Sequence, residues 1–327
     1  MIDPSEPQAG SAQSLVPRGA TPLDREGSRP PGLSSEDEAA LAEAVRALEG
    51  SSFASQISGL VGRQLGFAGE LLPARVAETA NKAAATALRF ALRGAVRSLS
   101  PQTQAPKKRM HLAAVAATGA IGGAFGLATL PVELPLSTTL ILRSVADIAR
   151  QAGEDLDDPE AMLSCLEVFA LGTGSDVVSG ESSYFAVRAL LAKSVTEATR
   201  HIVARGITDE AAPVLSRLLG QIASRFGVVV GQKVLAQAVP IIGAITGAGI
   251  NAAFMDHYQK LAEGHFAVRR LERIYGPDLV QAAYQRLRAA QASSESAQAG
   301  ATTTLQATAT SLAFDSADRT ASSRTPT

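Results

Sequence analysis

Glu133 stands between Pro131 and Pro135 among apolar neighbours, where a carboxylate needs a cation, a metal or a proton. Arg143, Asp147 and Arg150 follow at spacings of four and three, which put them on one helix face. A chain break at the prolines would fold Glu133 back toward Arg143. The pattern reads as a buried ion pair fixing a helix hairpin, with a proton-transfer or metal site as the sharper alternative. Further along, Asn251, Tyr258 and His265 recur every seven residues and Arg269 follows four later, giving one stripe of polar groups on a long helix. Asp256, Lys260 and Glu263 form the neighbouring stripe. The plain reading of the first stripe is a polar seam hydrogen-bonded inside a bundle. A hydrolase or metal-dependent enzyme using Glu133, Asp256, His257 and His265 is the competing one. His257 and His265 are too far apart in sequence for a two-histidine pair on one helix, so a metal would need Glu167 or Asp176 from elsewhere. Cys165, flanked by Leu163, Leu166 and Val168, reads as a buried, inert thiol.

No phosphate loop, His-Glu-x-x-His helix, Gly-x-Ser-x-Gly elbow or Ser-x-x-Lys pair occurs in the chain. The expectation is therefore no cofactor, no metal, no catalytic residue that can be named and no identifiable small-molecule substrate.

The elements that must position these groups are helical. Ala and Leu recur at helical spacing and no hairpin signal is present, which predicts an all-α, multi-helix bundle. Ser35 and Glu38 suggest a capping box for a helix to about Leu48. Pro73 opens a helix that stacks Arg89, Arg93 and Arg97 four apart. A helix over about 109–130 is expected to break at Leu130–Pro135 and resume from Leu136 to Ala152, with Gly153 as its stop. Asp158 and Pro159 start the next helix. Others are expected at 183–205, 209–226 and 227–238, then from Pro240 to Tyr275, and finally from Pro277 to about Ala290.

Two uncharged windows, Leu112–Val132 and Val234–Met255, are long enough to be candidate membrane spans. Gly119, Gly122, Gly123 and Gly126 in the first, and Gly243 and Gly247 in the second, fall at four-residue spacing. Such faces let two backbones approach closely, so these Gly/Ala-rich central helices are expected to pack together. Ala and Gly fill 11 of the 21 positions of the first window and 9 of the 22 of the second, which favours a buried core over a full span. From Arg75 to Arg109 eight basic residues, among them Arg89, Arg93, Arg97, Lys107, Lys108 and Arg109, face Glu78 alone. A basic helix beside an apolar one suits an anionic leaflet, and reads otherwise as a solvated face.

The chain has 327 residues, 46% of them apolar, with 30 basic and 31 acidic side chains and no tryptophan. This balance supplies no global pull toward nucleic acid, and the basic stretch has only Phe90 for base stacking. One cysteine fits a reducing compartment, and the opening residues show no export leader; a cytoplasmic location, peripheral on the inner face of the cell membrane, is expected. Residues 1–35 hold six of the 16 prolines and 291–327 are mostly Ala, Ser and Thr. Both are expected to be disordered tails, flanking an N-terminal helical region, 36–108, and a helical domain, 109–290.

The run Gly119-Ala-Ile-Gly-Gly-Ala-Phe-Gly126, then Leu130-Pro-Val-Glu-Leu-Pro135, then Leu142 to Ala149 with Gly153-Glu-Asp155 resembles the signature half of the EcsC family. Ala223 to Val230, Val239-Pro-Ile-Ile-Gly243 with Asn251, and His265 to Arg273 ending at Gly276 are similar to its second half. The resemblance runs from about Leu112 to Gly276. It implies a bacterial, largely helical, membrane-associated protein, at times encoded beside ABC transporter components, with no established biochemical activity. The combined expectation is a non-enzymatic protein, peripheral on the membrane or inserting its Gly-rich helix hairpin, whose partner is an anionic membrane surface or a membrane protein such as a transporter subunit. A soluble scaffold is a further alternative.

Overall fold

The computed structural model describes residues 32–50, 53, 74–98, 130–172, 183–206, 212–238, 243–294 and 296, and among them there is no strand. The helices are α1 (Ser35–Glu49), α2 (Ala74–Ser98), α3 (Leu130–Gln151), α4 (Pro159–Glu167) with a 3-10 turn over Val168–Ala170, α5 (Ser183–Arg205), α6 (Pro213–Ala238), α7 (Gly243–Tyr275) and α8 (277–294). All lie in one unit, Leu33–Thr327. The all-α fold expected from Ala and Leu spacing is what the chain adopts.

Local sequence explains the helix ends. Ser34 caps α1, accepting the Asp37 N–H at 3.1 Å on its hydroxyl; the cap is one residue earlier than the Ser35 expected. Asp158 caps α4 with Pro159 in its first turn. Gly153 and Gly276, both at positive φ, end α3 and α7.

Two breaks expected from the sequence are absent. Leu130–Pro135 is helical, because α3 starts at Leu130 and runs through both prolines; the helix expected over about 109–130 lies almost wholly outside the described residues. Pro131 falls in the first turn, where no N–H is required, and only Pro135 removes a ladder bond. The Thr139 hydroxyl donates to the Pro135 carbonyl at 2.8 Å. Likewise 213–238 is one helix without a stop at Phe226. Gly227 serves contact instead, since a Cβ there would collide with the Asn81 side chain where α2 meets α6.

The long α7 organises the bundle. Gln259 bonds Ser144 at 2.8 Å and Arg269 bonds Glu154 at 2.9 Å, both across 115 residues, so α3 and the turn after it run alongside α7 in the same direction. On another side α1 runs antiparallel to α7. Asp37 accepts from Arg270 at 2.9 Å and Tyr275 at 2.7 Å, while Gly264 lets the Ala44–Leu48 turn approach. α2 lies against α3 and α6 through Ala80, Ala84, Ala87, Leu88, Ala91 and Leu92. An aromatic cluster of Phe53, Phe169, Phe226, Phe254 and Tyr258 fills the middle.

Gly119, Gly122, Gly123 and Gly126 lie outside the described residues, so the expected pairing of glycine faces does too; Gly243 and Gly247 sit in the first turns of α7. The window Val234–Met255 spans two helices, α6 ending at Ala238 and α7 starting at Gly243. Among the described residues, one helix is long and apolar enough to cross a membrane, Pro213–Ala236, with 56% of its apolar window buried in the fold.

Candidate functional site

Glu133 is buried on the first turns of α3, and its partner is Lys233 of α6, at 2.8 Å and fully buried. The Lys233 ammonium also stands 4.7 Å from the centroid of Phe254. Burial pulls the Lys233 pKa down and Glu133 opposes that pull. Arg143 is exposed and not the partner, because the continuous helix removes the fold-back that would have joined it to Glu133. Asp147 and Arg150 form a partly exposed pair at 3.4 Å.

Asn251, Tyr258 and His265 are all fully buried on α7, and Arg269 continues the line at 16% side-chain exposure. Asp256 instead faces out and pairs with Lys260 at 2.7 Å. His257 is buried, and burial lowers its pKa to about 4. The four residues of the enzyme alternative do not meet at one point. Glu133 reaches α7 near Phe254 through Lys233, and the rise from Phe254 to His265 is about 16 Å at the helical pitch.

A second polar cluster forms around His265. Arg188 binds Glu272 with two bonds, 2.7 and 3.0 Å, and donates a third at 3.3 Å to the Tyr184 hydroxyl. That hydroxyl lies 3.1 Å from His265 Nδ1, and since the guanidinium can only donate to it, the imidazole nitrogen is the acceptor in reach of its proton. The imidazole is therefore the Nε2–H tautomer. Nε2 has no hydrogen-bond partner and lies 4.0 Å from Glu167 Oε2. His265 stays neutral, because burial first and then the nearby Arg188 and Arg269 hold its pKa well below the usual value.

Glu167 is 6% exposed, and burial lifts its pKa to about 7 against the pull of Arg188 and Arg269. Both arginines are already engaged, Arg188 by Glu272 and Arg269 by Glu154, which also pairs with Arg273. The result is a carboxyl poised between its two forms near neutral pH. Cys165, in the same helix, is buried and pushed up to about 12, so it stays a thiol.

Glu167 opens onto a cleft of about 600 Å³ between α4, α5, α7 and the start of α8. Its walls mix Phe185, Ala189, Ala192 and Val195 with Arg188, Arg269 and Glu272. The volume falls in the range of small-molecule sites. Among the described residues no group of three His, Cys, Asp or Glu is placed to hold a metal.

Sequence reading reached His265, Arg269 and, as a conditional metal ligand, Glu167. It missed Lys233, Tyr184, Arg188 and Glu272. Lys233 carried a signal, since it is the lone charge in the run Gly227–Ala238. The Arg188–Glu272 pair spans 84 residues and leaves no local trace.

The chain belongs to the EcsC protein family, whose model matches residues 39–271. The match begins inside α1 and takes in α2, so it extends further toward the N-terminus than the resemblance from Leu112. No curated protein and no solved structure matches the chain.

Proposed function

We propose that this EcsC-family protein works without catalysis at the anionic cytoplasmic face of a membrane, where α2 is the docking element. The observation that carries this reading is the outward face of α2. Arg89 and Arg93 are exposed one turn apart, with Phe90 beside them 53% exposed. An exposed ring next to two guanidiniums suits the headgroup region, where the charges meet anionic lipid and the ring leaves water. Each charge near such a surface contributes about 1 kcal/mol. Lys82 adds less, because Glu78 pairs with it at 2.6 Å. Lys107, Lys108 and Arg109 lie outside the described residues, as does the side chain of Arg97.

A full span is not part of this reading. The one described helix that is both long and apolar enough carries the buried Lys233 and packs in the core. A membrane protein such as a transporter subunit is the other partner that a basic, partly apolar face could meet. Flotation of the full chain with vesicles distinguishes them: lipid docking requires co-flotation with anionic vesicles containing no protein. Absence of flotation at low salt would remove the lipid reading.

A further inference from the structure

Among the carboxylates that line the cleft, Glu167 is the one that the fold leaves without a cation in bonding range. Glu272 is held by Arg188 with two bonds, Glu154 by Arg269 and Arg273, and Glu160 has Arg269 at 3.9 Å. Glu167 has only the neutral His265, at 4.0 Å. Neither arginine can turn to it without abandoning another acid. Three carboxylates (Glu160, Glu167, Glu272) and three guanidiniums (Arg188, Arg200, Arg269) line the cleft; Glu160 and Glu272 each have an arginine partner, and the nearly buried Glu167 has none. Tyr184 and the His265 Nε2–H add no cation.

A buried carboxylate without a partner is costly, and a small cation that enters with its own apolar body relieves that cost. The groove beyond Glu167 supplies the apolar wall in Phe185, Ala189, Ala192 and Val195. A bare metal ion fits less well: the nearest carboxylates are already committed to arginines, and His265 presents an N–H rather than a lone pair.

We propose that the cleft binds a small primary alkylammonium ligand, with its nitrogen on the Glu167 carboxylate and its hydrocarbon part along Phe185, Ala189 and Val195. The site is independent of the α2 docking face. Because the ligand requires ionised Glu167, affinity rises with pH. The charged or titratable groups that face Glu167 or share its cleft are Glu160 on its own helix, Tyr184, Arg188 and Arg200 on α5, and His265, Arg269 and Glu272 on α7. The pKa of His265 lies well below this range and those of Arg188 and Tyr184 are raised above it, which leaves Glu167 to set the midpoint near 7.

Equilibrium dialysis of the full chain against n-hexylamine, n-hexanol and hexanoate tests this. Hexylamine is expected to bind saturably at pH 8, at least about tenfold more tightly than hexanol, with hexanoate weaker still. Affinity for hexylamine is expected to fall about tenfold from pH 8 to pH 6, as Glu167 takes up its proton. Glu167→Gln is expected to bring hexylamine down to the level of hexanol. The pH series on the unaltered protein carries the test if that variant fails to fold. Absence of saturable hexylamine binding, equal binding of the alcohol, or an affinity flat between pH 6 and 8 would overturn the assignment.

Discussion

Tyr184 gives its hydroxyl proton to Nδ1 of His265 at 3.1 Å, and so leaves the imidazole N–H turned toward Glu167 without reaching it. The relationship fixes a neutral histidine beside a carboxyl whose own ionisation is delayed to about pH 7. The family-matched region thus encloses a titratable group at the floor of a cleft, with its surroundings set by two arginines that are satisfied elsewhere.

Glu167 makes stability depend on pH in a definite direction. Its folded pKa, about 7, lies above the ordinary value of 4.5, so the folded state holds a proton that the unfolded chain has lost. The contribution is complete below about pH 4.5 and is lost as pH rises through 7, amounting to about 3 kcal/mol. Compared with the unaltered chain, Glu167→Gln should therefore gain about 2.5 kcal/mol between pH 5 and pH 8 in urea unfolding, most of the full swing. The comparison cancels the opposite trend of His257, whose depressed pKa removes stability as pH falls from 6.5 through about 4. A difference between the two proteins that does not change with pH would show that Glu167 titrates normally.

The Lys233–Glu133 bond joins α6 to α3 inside the core. Lys233→Met should cost about 3 kcal/mol or more, since it strips a buried carboxylate of its cation. The double change Glu133→Gln with Lys233→Met should cost less than the sum of the single ones. Chemical denaturation of the four proteins gives the coupling. Strict additivity would mean that the pair contributes nothing beyond its separate burial.

Gly172 ends the 3-10 turn at φ +74, and a Cβ there would stand 2.5 Å from Leu261 Cδ1 and 2.7 Å from His257 Nε2. Gly172→Ala combines an unfavourable backbone with a clash against α7, so a loss of about 2 to 3 kcal/mol is expected in thermal or urea unfolding. Gly206, at φ +75 with nothing within 4 Å, supplies the control: Gly206→Ala meets the backbone penalty alone, about 1 kcal/mol. Equal losses at the two positions would remove the packing part of the argument.

Much of the fold was legible because caps, positive-φ glycines and Ala/Leu spacing are local properties. Asp158, Gly153 and Gly276 each mark a helix end through their own conformational preferences. The prolines of α3 misled because the first turn of a helix tolerates what its interior does not, and sequence alone does not say where the first turn falls. The polar stripe Asn251, Tyr258, His265 was readable from its seven-residue period. Its partners Tyr184 and Arg188 were not, and Glu167 entered only as a conditional metal ligand: all three meet α7 through tertiary packing, which no spacing along the chain encodes.

The proposed membrane role rests on the outward face of α2, and vesicle co-flotation across a salt series measures it most directly. The full chain is expected to float with anionic vesicles at low salt, to stay behind with neutral ones, and to release as salt shortens the reach of its charges. The Arg89→Gln, Arg93→Gln protein should bind more weakly by about 2 kcal/mol, close to thirtyfold. Flotation with neutral and anionic vesicles alike, or a variant that binds as the unaltered chain does, would contradict the role given to this face.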